Sequence, residues 1–155
     1  MEIRRCGALL AVLVLIGCGS SHQRPLPGEW PTGAAVVIKQ LRGDVLAVAG
    51  ADRVPAARHA LADESQLYGL LLAFSDVAGC RHMVSTLGTR PSRFALANRL
   101  LAHACRPLER AATLFTRAAT RTDPQALVAA VRQADAALAL LDRARLALGR
   151  VPAAG

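Results

Sequence analysis

FALANRLLAHACRPLERAATLFTRA, residues 94–118, is the stretch whose reading decides the fold. Phe94, Leu101, Leu108 and Phe115 recur every seven residues, and Ala97, Ala104, Ala111 and Ala118 each follow three residues later. Residues three and four apart share one face of an α-helix, so this spacing predicts a helix with a seam of alternating large and small side chains. Alanines in such a seam let a neighbouring helix approach closely. Pro107 lies inside the stretch, yet the apolar phase is the same on both sides of it. A proline removes one helical hydrogen bond and bends the axis, so one kinked helix is expected here rather than two. The opposite face carries Arg99, His103, Arg106, Arg110 and Arg117.

A helix with so regular a seam needs partners, and the flanking sequence supplies them. Downstream, Thr122-Asp123-Pro124 pairs a polar cap with a proline suited to a first helical turn. Leu127, Val131, Ala134, Leu138, Leu141 and Leu148 then line a last helix, which Gly149 and Pro152 close. Upstream, Pro55 opens a short helix to Ala62, and Asp63 with Gln66 resembles a capping box. Leu67, Leu70, Leu71, Phe74, Val77, Cys80, Val84 and Leu87 follow at steps of three and four, up to Gly88 and Pro91. Residues 33–50 fit either a helix, through Val37, Leu41, Val45 and Val48, or a hairpin around Gly43-Asp44. The helix is favoured because the rest of the chain needs a helical partner. The expected fold is all-α: an antiparallel bundle of four helices over residues 33–149, with 150–155 as a flexible tail.

Composition agrees with this. Ala and Leu dominate, aromatics are only 3%, and Trp30 and Tyr68 are the single members of their types, a mixture that favours helix. The chain of 155 residues is of single-domain size and can bury a core without metal support. Net charge is +8, almost all of it arginine, with Lys39 the one lysine. Such a balance suits anionic lipid headgroups or cell-envelope polymers. Nucleic acid is not expected as a partner, because no stacking aromatics are interleaved with the arginines.

The first residues place the domain. Arg4 and Arg5 precede an apolar run from Gly7 to Ile16, then Leu15-Ile16-Gly17-Cys18 is followed by Gly19-Ser20-Ser21. The run is about ten residues, far short of the roughly 20 that span a bilayer, and matches the apolar region of a secretory signal. Leu15-Ile16-Gly17-Cys18 resembles the lipobox of bacterial lipoproteins. That resemblance implies cleavage before Cys18 and a diacylglycerol on its sulfur, so residues 1–17 read as a signal peptide and Cys6 would be lost with it. It also implies attachment to the cell membrane or outer membrane, with the domain on the extracytoplasmic side. Residues 18–32, with three prolines and two glycines between Gly19 and Thr32, read as the lipidated N-terminus and a flexible linker.

Outside the cytoplasm, the remaining pair Cys80 and Cys105 is expected to form a disulfide. Both fall on or beside the apolar stripe of their helices. At 1.5 Å per residue, Cys80 stands about 10 Å from the helix end at Leu87 and Cys105 about 21 Å from Pro91. The connection at 88–93 must therefore climb, or the next helix must start late. A competing zinc site of Cys80, His82, His103 and Cys105 is disfavoured, because residues two apart on a helix point about 200° away from each other. No Cys-x-x-Cys-His or Glu-x-x-His is present, which disfavours covalent haem and a di-iron centre. No cofactor is expected.

Ser65, Ser75, Ser85 and Ser92 stand in no nucleophile-elbow context, and there is no paired-carboxylate or glycine-rich phosphate motif. Asp76 is the one carboxylate within an apolar helical run, expected on the outer face or paired with an arginine. Tyr68 reads as a core or boundary aromatic. The functional expectation is a non-enzymatic envelope module that binds an anionic surface or a protein partner, with Arg99, His103, Arg106, Arg110 and Arg117 as the contact face. The alternative is a carrier of small apolar ligands, which would require a cavity near Phe74, Phe94 and Phe115.

Overall fold

The computed structural model describes residues 29–150, and the expected signal peptide, Cys18, the first part of the linker and the tail 151–155 lie outside them. Six helices follow one another: α1 Trp30–Val48, α2 Val54–Ala62, α3 Glu64–Ala78, α4 Cys80–Thr86, α5 Ala95–Arg121 and α6 Pro124–Gly149. Among the described residues there is no strand, so 33–50 is helix and not hairpin. The all-α bundle is as expected; its helix number is not. Four long helices (α1, α3, α5, α6) form the bundle, and two short ones join them.

Both extra boundaries have local causes. Asp63 is extended (φ −90°, ψ 117°), which separates α2 from α3, and its carboxylate accepts a hydrogen bond from the Gln66 backbone N–H at 2.8 Å. That bond, helped by the Ser65 hydroxyl, holds the Asp63 carboxyl below its usual range. The aspartate half of the expected capping box is therefore present. Gly79 interrupts the run expected from 64 to 87, ending α3 and starting α4. After α4, Gly88 adopts φ 73°, the left-handed conformation that closes a helix at no steric cost for glycine.

The long pair α5 and α6 forms the centre of the packing. Leu101, Leu108 and Phe115 are buried on α5 together with Ala97, Ala104, Ala111 and Ala118, so the predicted seam is the core face. α6 offers Leu127, Val131, Ala134, Ala137, Leu141 and Ala144 in return. Leu138 and Leu148 are only partly buried. α5 runs through Pro107 as one helix. Its reversal into α6 uses Thr122 at φ 50°, then Asp123, whose carboxylate accepts from the Gln125 and Ala126 N–H groups at 3.0 and 3.1 Å.

Two expectations are corrected. The segment read as linker to Thr32 already contains the start of α1. Trp30 is 1% exposed and stacks on Phe94 with ring centroids 5.5 Å apart, and Pro31 suits the first helical turn. The gain from burying an indole outweighs the linker-like composition around it. Tyr68, read as core or boundary, is 63% exposed, because Leu67 and Leu70 take the inward positions of that turn.

Candidate functional site

The folding of α4 against α5 brings the two cysteines together. Their Cα atoms are 5.3 Å apart and their sulfurs at bonding distance, 2.02 Å. The climb that this requires is made by a late start of the next helix: α5 begins only at Ala95, after an irregular 88–91 and one 3-10 turn at Ser92–Phe94. With each sulfur bound to the other, neither cysteine is a thiolate ligand. His82 and His103 are exposed. In the chain-entropy account, closing a loop of 25 residues stabilises the fold by roughly 3–4 kcal/mol.

Arg99, His103, Arg106, Arg110 and Arg117 are all exposed on the side of α5 that its core seam leaves to solvent. Arg117 stands 3.8 Å from Asp123. Arg81 joins the row from α4, with its Nε 2.6 Å from the carboxylate of Glu109. Arg81, Arg106 and Arg110 then border one open groove of about 640 Å³, with Glu109, Thr113, Leu114 and Gln133 as its other walls. A second groove, of about 460 Å³, shares Arg81 and Arg106 and runs back along Val84, Ser85 and Ala102 to Cys105. The first groove is therefore built by three helices, not one, while Arg99, His103 and Arg117 line neither groove. Arg81 was not legible as a member, since only the α4–α5 packing sets it beside a row on another helix.

No protein-family model matches the chain, and no curated protein or solved structure matches it either. The site is thus read from its own chemistry.

The phenylalanines do not converge. Phe74 stacks on Phe115, centroids 4.5 Å apart, while Phe94 stacks on Trp30. Phe94 and Phe115 are separated by about 30 Å along one helical axis, so no single small cavity can touch both. Beside the Phe74–Phe115 stack lies an open groove of about 330 Å³, lined by Leu71, Ala112 and Thr116 among others.

A polar feature missed by the spacing argument is Asp44. It sits at the edge of the α1 stripe, between the buried Leu41 and Val45, and its Oδ2 is buried with no hydrogen-bond partner among the described residues. Burial first, then the negative charge of Asp76 on α3, pushes its carboxyl up to about 6. The signal was available: Asp44 is three residues after Leu41 and seven after Val37, inside the helical period. Asp76 itself is exposed, as expected. On the other flank of α1, Arg42 reaches Asp142 of α6 at 2.7 Å, a close ion contact whose N–H is not aimed at the oxygen.

Proposed function

We propose that this chain is a lipid-anchored, non-enzymatic module of the bacterial cell envelope, and that it binds an anionic surface through its arginine face. The observation that carries the reading is the convergence of Arg81, Arg106 and Arg110 on one open groove with Glu109 as the single acidic wall residue. Guanidinium groups gathered around a concavity match phosphate or carboxylate groups in pairs, which scattered surface arginines do not. Attachment is assigned to Cys18 on the strength of the lipobox-like Leu15-Ile16-Gly17-Cys18; among the described residues no helix is long and apolar enough to cross a membrane. A carrier of small apolar ligands has less support, because the three phenylalanines that would line its cavity form two separate stacks.

Two measurements test this. Cys18→Ala should release the protein from membranes washed at high salt, where the arginine face no longer holds it; retention after that wash would sink the anchor. Arg106→Glu with Arg110→Glu should weaken binding to anionic vesicles at least ten-fold at low salt, with a smaller loss at high salt. Unchanged binding would remove the arginine face from the function.

A further inference from the structure

Between Asp76 and Glu109 the chain has no acidic residue, while Arg81, Arg90, Arg93, Arg99 and Arg106 all fall within that interval. The fold gathers the interval at one end of the bundle. The Cys80–Cys105 bond closes it at its base, so α4, the 88–94 connection and the first turns of α5 form a stapled lobe. Arg90, Arg93 and Arg99 are exposed, and among the described residues no acidic side chain forms an ion pair with any of them. Leu96, three residues from both Arg93 and Arg99, is 53% exposed. A large apolar side chain thus projects among guanidiniums. Glu29 precedes α1 at this end and is itself engaged in an interaction.

The course of the chain singles out the same lobe. Trp30, the first residue of α1, is stacked on Phe94, and the Arg93 guanidinium lies 5.1 Å from the centre of that ring. The lobe is therefore where the described chain enters the bundle. Cys18 precedes Glu29 by eleven residues, which extend to at most ~40 Å.

We infer that this stapled lobe is the end of the bundle that docks on the bilayer, with Arg90, Arg93 and Arg99 on the phosphates of anionic phospholipids and Leu96 in the headgroup–acyl boundary. The inference rests on the lipid-anchored reading above and adds an orientation and a lipid class to it. A bilayer is favoured over a soluble polyanion because Leu96 gains by leaving water for an apolar boundary, and a polyanion offers none. The disulfide fixes α4 to α5, so the arginines are presented as a preformed surface.

The test uses the full chain carrying Cys18→Ala, sedimented with vesicles of phosphatidylcholine alone and with added phosphatidylglycerol. The ratio of the two partition coefficients is read for parent and variants alike, so that the N-terminal segment with Arg4 and Arg5, common to all of them, cancels in the comparison. An arginine near an anionic surface is worth roughly five-fold in partitioning, so Arg90→Gln, Arg93→Gln and Arg99→Gln together should lower the ratio by about 100-fold. Arg53→Gln with Arg121→Gln, outside the arginine face and ~27 Å or more from the lobe along α1 and α5, lies beyond the screening length of about 8 Å and should change it less than about two-fold. Leu96→Asn should lower partitioning onto the anionic vesicles by roughly five-fold. All these side chains are exposed, and circular dichroism checks that each variant keeps its helix. A triple variant that binds like the parent, a far-end pair that matters more, or an unchanged Leu96→Asn chain each overturns the inference while leaving the broader reading standing. Equal affinity for soluble polyglutamate also overturns it, moving the partner from lipid to polymer. If the parent shows no preference for anionic vesicles, the broader reading falls with it.

Discussion

α5 and α3 are both long helices of the same bundle, and they treat solvent in opposite ways. α5, Leu96 apart, keeps its large apolar residues on or beside one seam and gives its outer face to arginine and threonine. α3 leaves Tyr68, Leu71 and Leu72 exposed, and buries only Leu70, Ala73, Phe74 and Val77. The difference shows what apolar patterning can and cannot determine. Where apolar and charged residues alternate with the helical period, the buried face is unambiguous. Where a helix is apolar on most sides, as in Leu70-Leu71-Leu72, several faces compete and the neighbours choose.

That contrast can be broken by substitution. Leu108→Ala, fully buried on α5, should cost about 2–5 kcal/mol, whereas Leu72→Ala, 53% exposed on α3, should stay within about 0.5 kcal/mol. Urea midpoints of the two variants decide this, and equal losses would mean that the α3 leucines are buried after all. Next in size is the covalent link from α5 to α4, the helix that follows α3. Cys80→Ala with Cys105→Ala should cost roughly 3 kcal/mol, and the parent under reducing conditions should lose a similar amount. A parent insensitive to reductant would argue that the pair is not bonded in solution.

The smallest effect sharpens the comparison at the α1–α3 contact. Asp44 keeps its proton to about pH 6 in the fold but ionises from a value of 3.8 when unfolded. Below pH 3.8 it is neutral in both states and costs nothing. As pH rises from about 4 through 6, the unfolded chain releases its proton first, and the fold loses stability relative to it. Asp44→Asn should therefore stabilise the protein at pH 7 by on the order of 1–2 kcal/mol, allowing for solvent screening of a partly exposed group. Thermal melts at pH 7 and pH 4 test the sign, since the gain should vanish at the lower pH.

Most of the architecture was legible before the structure. The α5 seam, the α6 boundary at Asp123-Pro124 and the cap at Asp63 depend on residues close together in sequence, and each stands where the local pattern placed it. The disulfide was legible through the compartment that the lipobox-like start implies and through stripe position, with the late start of α5 as its geometric consequence. What escaped were features with local and distant causes in conflict. Trp30 lies among linker-like prolines, yet stacking on Phe94, more than sixty residues away, makes it core. Tyr68 has the composition of a core residue but the wrong phase, with Leu67 and Leu70 on either side facing inward.

The candidate site divides in the same way. Sequence by itself determined an all-α chain, a lipobox-like start and a row of arginines on one face of one helix. These follow from periodicity and composition, which act over a few residues. Only the tertiary structure decided that Arg81 joins Arg106 and Arg110 around a groove, that Asp44 comes under the charge of Asp76, and that the acid-free interval folds into a lobe beside Trp30. Those juxtapositions join residues on different helices, and helix packing brings them together because it answers to the buried seam. The exposed arginines are placed by where the leucines and alanines go.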